Sequence, residues 1–448
     1  MFTIQDTQKD NSFVAARKQT EEYKRLQEVR EQNIPWKKWG PYLSDRQWAT
    51  VREDYSQNGN TWRYFDYEQS RSRAYRWGED GILGISDERQ RLCFALTLWN
   101  EEDEHLKERF FGLTGFDSWP NQGNHMEDVK EYYFYLDNNP THSYMKALYK
   151  YPYEFPYKKL IQENNKRGKD KPEYELIDTN CFDEGYFDVV VEYAKKTHED
   201  ILIKITVWNR GSEAHQLHIL PTLWFRNTWS WLGDAEREKQ KPSLQRVLEK
   251  TGNNMVIKAH HGELGDYYLY CQGDTPLLFT ENETNNERIF HTANASKYVK
   301  DGINNYVVNQ ELDKVNPEQK GTKAAAHYNL TIEADKPQVI WLHLTDVAPD
   351  KLPDANPFGS DFKEVFDKRK EETDAFYQAI TPSDFPISDE ERQVQRQAFA
   401  GMLWNKQFYY YIVQDWLKGD WSYQDRKWYK ICPPRKTSEQ REFDGAKK

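Results

Sequence analysis

Residues 186–225 read YFDVVVEYAKKTHEDILIKITVWNRGSEAHQLHILPTLWF. Three short apolar runs in this stretch are rich in β-branched and aromatic residues, and polar clusters separate them, which is typical of β-strands. The sequence Asn209-Arg210-Gly211-Ser212 lies between the second and third runs. A loop of this length and composition predicts a β-hairpin that joins residues 201–208 to residues 215–225.

The same pattern continues on both sides of this stretch, from Gln90 to about Leu344. Further runs of the same kind are RLCFALTLW, EYYFYL, YYLYCQ and VIWLHL, and clusters of Gly, Asn, Asp and Pro separate them. This many short strands with turn-forming residues between them predicts one large antiparallel β-sandwich. We assign residues 36–355 to this domain, including an aromatic, loop-rich segment at its start, and the fold class is mainly β.

Helical periodicity replaces the β pattern at both ends of the chain. Apolar residues at helical spacing predict a helix over about residues 12–32, within an N-terminal segment of residues 1–35. A second helical pattern covers residues 362–380, and Ser388 followed by Glu391 forms a capping box that begins a third helix. We expect this third helix to span about thirty residues and to end at Gly419.

The last two helices form an αα-hairpin at residues 356–420. Their apolar faces carry more large side chains than one hairpin can bury, namely Phe366, Phe376, Met402, Phe408, Ile412 and Trp416. Large exposed apolar patches tend to become interfaces, so we expect self-association or binding of a separate chain. The remaining residues 421–448 form a basic, polar tail without apolar periodicity.

Charge and cysteine content argue against several classes of protein. The 62 Lys and Arg residues are outnumbered by 73 Asp and Glu residues, and both signs are mixed along the chain, which argues against a nucleic-acid partner. The four cysteines, Cys93, Cys181, Cys271 and Cys432, form no CxxC motif, so we expect free buried thiols in a reducing compartment. The sequence shows neither a signal peptide nor a run of ~18 apolar residues, which predicts a cytoplasmic protein without a membrane partner.

No motif in the sequence predicts a cofactor or a metal ion. The three glycines within residues 78–84 lack the spacing of a dinucleotide-binding fingerprint, and neither HExxH nor GxSxG occurs. His260, His261 and Glu263 could be interpreted as metal ligands, but adjacent side chains on a strand point to opposite faces. We therefore predict no cofactor and no metal site.

Three segments combine acidic pairs with aromatic, arginine and amide side chains, at residues 39–55, 71–81 and 123–146. Aromatic rings can cover the C–H face of a sugar, and charged and amide groups can hydrogen-bond its hydroxyls. The candidate substrate-binding residues in these segments are Trp39, Tyr42, Arg46, Gln47, Trp48, Arg52, Glu53, Asp54, Tyr55, Trp77, Glu79, Asp80, His125, Glu127 and Asp128.

A structural role remains open for each of these residues. Arginines beside the acidic pairs can form ion pairs that stiffen loops, and aromatic residues often build the core. Glycoside hydrolysis needs two carboxylates roughly 5 Å apart for retention or 6.5–9.5 Å apart for inversion. Adjacent Glu-Asp side chains diverge on a strand, so we predict no catalytic residue among them.

Four stretches resemble the glucosidase-type proteins of glycoside hydrolase family 63. They are WGPYLSDRQWATVREDYS, RSRAYRWGEDGILGISD, FFGLTGFDSWPNQGNHMEDVKEYYFYLDNNPTHSYMKALYKYP and FAGMLWNKQFYYYIVQDWLKGD. The resemblance extends from about Trp36 to Asp420. It implies an N-terminal β-sandwich followed by an (α/α)6 barrel, of which residues 356–420 would form the first helices. It also implies inverting hydrolysis of α-glucosidic or similar linkages by an Asp acid and a Glu base.

In that family both catalytic carboxylates belong to the barrel, downstream of the part that resembles Gly401–Asp420. Residues 421–448 depart from the family pattern, so no residue of this sequence inherits either role. The resemblance implies an oligosaccharide or small α-glycoside as ligand, and a chain that is inactive alone or completed by a separate barrel-bearing chain. Two alternatives remain open, namely a non-catalytic carbohydrate-binding or scaffolding module, and a hydrolase of another small α-glycoside such as a glycosyl-glycerate.

Overall fold

The computed structural model describes residues 16–43, 45, 67–75, 78, 80–110, 130–167, 170–231, 241–248, 251–353, 356–381 and 387–408. Within these residues, two antiparallel β-sheets face each other across the main hydrophobic core. The prediction of a mainly β protein built around a large antiparallel sandwich is confirmed.

The described strands, in chain order, are β1 (Trp39–Gly40), β2 (Ile82–Asp87), β3 (Leu92–Trp99), β4 (Tyr133–Asn138), β5 (Tyr144–Pro152), β6 (Tyr186–Thr197), β7 (Asp200–Asn209), β8 (His215–Phe225), β9 (Ser243–Arg246), β10 (Met255–His261), β11 (Gly265–Cys271), β12 (Leu277–Thr280), β13 (Lys320–Gly321), β14 (Lys323–Ala326), β15 (Tyr328–Ile332) and β16 (Gln338–Thr345). The small sheet has the order β1-β2-β3-β8-β14-β12, with β15 also paired to β8. The large sheet has the order β13-β9-β10-β11-β16-β7-β6-β5-β4. All seven apolar runs quoted above form strands.

The core between the sheets is built from alternate residues of their strands. Val189, Val191 and Tyr193 of β6 point into it from the large sheet, and all three are fully buried. The Tyr193 ring packs edge-on against Phe94 of the small sheet, and its hydroxyl donates to the carbonyl of Leu83 at 2.7 Å. Each large apolar side chain that is fully buried contributes about 1.5–3 kcal/mol, so this core is what holds the two sheets together.

The predicted hairpin between residues 201–208 and 215–225 is wrong. Strand β7 pairs with β6 and β16 in the large sheet, whereas β8 pairs with β3, β14 and β15 in the small sheet. Residues 210–214 therefore form an arch between the sheets. The Asn209 side chain fixes this arch, because its Oδ1 accepts from Gly211 N–H at 2.9 Å and its Nδ2 donates to the carbonyls of Glu213 and Ile332, both at 2.8 Å.

The described helices are α1 (Glu21–Glu31), α2 (Tyr67–Ser70), α3 (Tyr157–Asn165), α4 (Asn286–Phe290), α5 (Gly302–Val307), α6 (Asp361–Ile380) and α7 (Asp389–Trp404). Helices α1 and α6 confirm the helical patterns predicted near the two ends, and residues 12–15 lie outside the described residues. The predicted capping box at the start of α7 is confirmed. Ser388 N–H donates to Glu391 Oε2 at 2.7 Å, and Glu391 N–H donates to Ser388 Oγ at 3.2 Å.

Helix α7 is shorter than predicted, because it ends at Trp404 and residues 405–408 are not helical. Its last residue is anchored on the edge of the large sheet. The Trp404 ring stacks on Tyr135 of β4 with 5.2 Å between centroids, and its Nε1 donates to the carbonyl of Asp137 at 2.9 Å. Residues 409–448, which include the rest of the predicted helix and the tail, lie outside the described residues.

Helix α6 packs its apolar face on the outer surface of the large sheet. Phe362 and Phe366 join a buried cluster with Tyr144, Ala194 and Leu202 of that sheet. The expectation that this helical face lies in water is therefore wrong for α6, since Phe366 and Phe376 are only 6% and 7% exposed. Of the other residues of that face, Met402 is 66% exposed, Phe408 is partly buried, and Ile412 and Trp416 lie outside the described residues.

Helix α1 is held between the large sheet and α6 by buried charges. Glu22 is fully buried and accepts from the N–H and hydroxyl of Thr141 at 2.7 and 2.8 Å. Arg25 donates to Glu22 at 3.0 Å and also forms an ion pair with Glu372 of α6. Removing one partner of such a network leaves an uncompensated buried charge, so the network couples the position of α1 to that of α6.

Candidate functional site

Most of the candidate residues fall outside the described part of the chain. These are Arg46, Gln47, Trp48, Arg52, Glu53, Asp54, Tyr55, Trp77, Glu79, His125, Glu127 and Asp128. The structure describes the other three, Trp39, Tyr42 and Asp80.

Trp39 and Tyr42 make contacts that stabilise the sandwich. The Trp39 side chain is fully buried, its ring packs edge-on against Tyr267, and its Nε1 donates to Glu199 at 3.3 Å. The Tyr42 hydroxyl donates to the carbonyl of Lys37, and its ring packs edge-on against His142. The buried Trp39 indole presents no surface to a ligand, which favours the structural role that the sequence left open.

Asp80 lies two residues before strand β2 of the small sheet. The backbone at Gly81 has a φ of +100°, and a Cβ atom there would collide with Ala95 and lie 3.0 Å from Trp224. Glycine alone allows both this conformation and this close approach. Gly81 N–H donates to the carbonyl of Glu108 at 2.8 Å, which holds this segment in place.

Five buried or nearly buried charged side chains form what we call the Asp80 cluster: Asp80, Glu108, Arg109, Lys300 and Lys323. Arg109 Nη2 and Lys300 Nζ donate to the two oxygens of the Asp80 carboxylate at 2.7 and 2.6 Å. Lys323 Nζ donates to Glu108 Oε1 at 2.6 Å. Asp80 is therefore ion-paired, as the structural interpretation of its segment anticipated, but its partners come from elsewhere in the sequence.

The cluster keeps Asp80 ionised. Burial raises the pKa of Asp80, but Lys300 and Arg109 lower it by more, so this pKa lies below its ordinary value. Burial lowers the pKa of Lys300 to about 8, although Asp80 opposes the effect. At neutral pH the Asp80 carboxylate can therefore accept hydrogen bonds and stabilise positive charge, but it is not a proton donor.

A small cleft opens beside the cluster. It is lined by Leu43, Tyr75, Gly78, Asp80, Cys93, Trp224, Arg226 and Asn282, and its volume of about 10 Å³ is roughly the room of one water molecule. Among the described residues, Asn282 Oδ1 in the cleft wall and Arg109 Nε in the cluster are buried without a hydrogen-bond partner. Buried polar atoms are normally hydrogen-bonded, so the Asn282 oxygen indicates that a small polar group fits in the cleft.

Asp45, two residues after Leu43 of the cleft wall, joins the two sheets. Its Oδ1 accepts from the N–H of Leu83 in β2 at 3.1 Å, and its Oδ2 accepts from the Tyr135 hydroxyl of β4 at 2.8 Å. Leu83 has a φ of +52°, which is unusual for leucine, and it lies at a bulge between β2 and β3. Burial raises the pKa of Asp45 to about 7, although Tyr135 and Leu83 oppose the shift by donating to its carboxylate.

The described parts of the three predicted segments thus meet in one region. Leu43 and Asp80, from the first and second segments, line the same cleft, and Asp45 links the first segment to Tyr135 of the third. Glu131 anchors the third segment, because it accepts from the Tyr149 hydroxyl at 2.6 Å and forms an ion pair with Lys107.

Sequence reasoning missed the partners of Asp80. Arg109 directly precedes the third resembling stretch, which begins at Phe110, so the sequence offered a signal there. Lys300, Lys323 and Asn282 carry no local signal, because each lies about two hundred residues from Asp80 and belongs to no motif.

The histidines and cysteines that the sequence analysis considered have structural roles. His260 contacts Asp266 at 2.6 Å, whereas His261 Nδ1 accepts from Glu263 N–H at 3.1 Å in the turn after β10. Cys93 and Cys271 are buried free thiols, as predicted, Cys181 is a partly buried free thiol, and Cys432 lies outside the described residues. Within the described ranges, no three His, Cys, Asp or Glu side chains are grouped so that they could hold a metal ion.

No helix within the described residues is both long and apolar enough to cross a membrane. No protein-family model matches the sequence. The chain is similar to the uncharacterized protein YMR196W of Saccharomyces cerevisiae, with 43% identity over 440 residues that cover 90% of this chain and 39% of the yeast protein. The chain therefore spans about two fifths of the length of this curated relative.

Solved structures give only distant similarities. One is a galactose mutarotase related enzyme from Lactobacillus acidophilus, with 8% identity, a TM-score of 0.24, and coverage of 59% of this chain and 94% of that one. Another is a human-microbiome protein whose name assigns it to kojibiose phosphorylase, with 9% identity, a TM-score of 0.23, and coverage of 68% and 27%. TM-scores this low support no argument about fold or activity.

Proposed function

We propose that this chain forms the β-sandwich part of a family 63-type glycoside hydrolase that cleaves α-glucosidic linkages with inversion. We place a carbohydrate-binding site at the mouth of the Asp80 cleft. The observation that carries the proposal is the meeting of three of the four resembling stretches. Leu43 and Asp80 share a cleft, and Asp45 binds Tyr135 across 90 residues of sequence. Convergence of aromatic and polar groups from separate segments is typical of a ligand site.

The groups around the cleft suit a sugar hydroxyl. The ionised Asp80 carboxylate and Asn282 Oδ1 are acceptors in the lining, and the Trp224 ring is part of the wall. The cleft has room for about one hydroxyl-sized group, so the sugar ring lies at its mouth with a single hydroxyl inside. Removal of that hydroxyl leaves buried polar atoms unpaired, which costs more binding energy than the loss of an exposed contact.

The catalytic acid and base belong, in this proposal, to a barrel that the present sequence does not include. Asp80 cannot donate a proton at neutral pH, and the yeast relative is more than twice as long as the matched region. Loss of general acid or base catalysis removes a factor of about 10² to 10⁴ for each group. The purified 448-residue chain should therefore bind α-glucosides without hydrolysing them above background.

The test combines binding and turnover on the same protein. Ligand-observed NMR with kojibiose, nigerose and maltose measures binding, and glucose release from these sugars and from an aryl α-glucoside measures turnover. We expect saturable binding that Asn282→Leu weakens and that the partly exposed control Asp266→Asn leaves unchanged. Absence of binding to every sugar would refute the site, and turnover that survives repurification would refute the separation of binding from catalysis.

The charge of the Asp80 cluster favours one second candidate. Three cations, Arg109, Lys300 and Lys323, face the two carboxylates of Asp80 and Glu108, and Arg109 Nε has no hydrogen-bond partner among the described residues. A net positive site suits a glycoside that carries a carboxylate, such as a glycosyl-glycerate. In a direct competition, stronger binding of glucosylglycerate than of maltose would favour this candidate, and the reverse order would favour a neutral α-glucoside.

A further inference from the structure

A second cavity is lined in part by Asp301, the residue after Lys300 of the Asp80 cluster. Residues 285–297 and 299–314 contribute its lining, and we call it the loop bowl. Its volume is about 750 Å³, within the range of about 300–1,000 Å³ that small-molecule sites occupy. The bowl is thus large enough for a mono- or disaccharide, whereas the Asp80 cleft is not.

Side-chain hydrogen bonds fix residues 285–294, which form the rim of the loop bowl. Asn294 Oδ1 accepts from the N–H groups of Asn286 and Glu287 at 2.7 and 3.2 Å, and Asn294 Nδ2 donates to Asn285 Oδ1 at 3.1 Å. Asn285 Nδ2 in turn donates to Asp301 in the floor at 3.0 Å. A rim fixed in this way is organised before a ligand arrives, which lowers the entropic cost of binding.

The charges of the bowl cancel, and most already have partners. Lys297 pairs with Asp313 at 2.9 Å and Lys314 pairs with Glu311 at 3.5 Å. Asp301 accepts from Ser72 at 2.6 Å as well as from Asn285. Both lysines of the lining are paired, so no free positive charge remains for a phosphate.

The groups of the loop bowl that can still donate hydrogen bonds are uncharged. Within residues 251–353, which the structure describes throughout, the Asn305 side-chain amide N–H groups and the Thr292 hydroxyl donate to no other residue. Ser296 Oγ accepts from Tyr298 N–H at 3.1 Å, which leaves its own hydroxyl hydrogen to donate. Amide and hydroxyl groups of this kind match the alternating donors and acceptors of a polyhydroxyl compound.

We propose that the loop bowl is a second binding site, for an uncharged polyhydroxyl compound of the size of a mono- or disaccharide. It is separate from the Asp80 cleft and does not depend on the function assigned to that cleft. The two sites are connected along the chain, since Lys300 of the Asp80 cluster precedes Asp301 of the bowl, and these two residues bind the consecutive residues Arg73 and Ser72.

The experiment titrates the full chain with maltose, myo-inositol and inorganic phosphate and follows each by ligand-observed NMR. The variants Asn305→Asp and Thr292→Val keep the shape of the side chain and remove one donor each, so they should fold. Their thermal unfolding should match that of the unmodified chain. We expect at least one of the two neutral probes to bind saturably and both variants to raise its dissociation constant at least tenfold.

Two controls separate this site from the Asp80 cleft. Asn253→Asp, at an exposed position outside the bowl, should leave binding of both neutral probes unchanged. Asn282→Leu in the cleft should leave binding of myo-inositol unchanged. The proposal is overturned if neither neutral probe binds, if phosphate binds more tightly than both, or if Asn282→Leu abolishes binding while the bowl variants do not. The last result would leave the cleft as a carbohydrate site and remove the bowl.

Discussion

Replacing Asp45 by Asn should stabilise the protein at neutral and alkaline pH. The partly buried Asp45 carboxylate bridges the two sheets, and desolvation raises its pKa from 3.8 to about 7. An Asn side chain has the same shape, can accept from Leu83 N–H, and can donate to the Tyr135 hydroxyl, without the cost of a buried charge. The change therefore keeps the bridge and removes the ionisation.

The sign of the effect follows from proton binding. Unfolded Asp45 loses its proton near pH 3.8 and folded Asp45 near pH 7, so between these values the folded state binds more protons. Stability of the unmodified chain therefore falls as pH rises through this window and levels off above pH 7. One pKa unit corresponds to about 1.4 kcal/mol, which sets an upper limit of about 4 kcal/mol for the whole window.

Urea unfolding followed by tryptophan fluorescence at pH 5, 6, 7 and 8 measures the free energy of unfolding of both proteins. We expect the free energy of unfolding of Asp45→Asn to exceed that of the unmodified chain by an amount that grows as pH rises. This difference should become constant above pH 7. The control Asp361→Asn should instead lower the free energy of unfolding by the same amount at all four pH values. Lys196 lowers the pKa of that carboxyl, so it is ionised in both the folded and the unfolded state from pH 5 to 8. Parallel pH curves for Asp45→Asn and the unmodified chain would refute the buried, protonated bridge.

Three further changes test the architecture. Gly81→Ala should cost about 1–3 kcal/mol in urea unfolding because its Cβ collides with Ala95, whereas Gly262→Ala, where nothing lies within 4 Å, should stay within about 0.5 kcal/mol. Glu22→Gln should cost about 3–5 kcal/mol and open α1 to proteases, because it leaves Arg25 with one buried partner fewer, whereas the exposed Glu333→Gln should cost less than about 1 kcal/mol. Limited proteolysis should leave residues 90–344 intact, since their strands pair with one another, and cleavage spread evenly through that range would contradict this.

Much of the fold could be predicted because strand signals are local. Runs such as the one that forms β3 are recognisable from β-branched and aromatic content alone, and the capping box at Ser388 predicts the start of α7 from two residues. The docking of α6 could not be predicted in this way. It depends on a row of small and apolar residues on the large sheet, Tyr144, Ala194 and Leu202, which are adjacent only after β5, β6 and β7 have paired.

The candidate site was predictable only in part, for a related reason. The acidic and aromatic segments are visible in the sequence, and ion pairing of Asp80 could be anticipated from the nearby arginines. Its actual partners, Arg109 and Lys300, are 29 and 220 residues away, so only the folded sheet brings them within 2.7 Å of the carboxylate. Long-range charge pairs of this kind leave no periodic trace in a single sequence.

The arch between β7 and β8 could have been predicted from the periodicity of the flanking strands, although the composition of the loop does not distinguish an arch from a hairpin. A short loop containing Gly reverses the chain equally well within one sheet and between two sheets.

The strands on the two sides of this loop nevertheless differ in their pattern of burial. In β7, Lys204, Thr206 and Trp208 are partly exposed and alternate with buried residues, whereas β8 is buried at every position from Leu217 to Phe225. A strand with one solvated face and a strand covered on both faces occupy different environments, and two such strands are poorly suited to pair side by side along their whole length. The continuous burial of β8, which extends over His218 and Thr222, therefore indicates the centre of a sheet covered on both faces. The alternation in β7 indicates a sheet with one face open, so a change of sheet at Asn209 follows from periodicity where turn chemistry alone favours a hairpin.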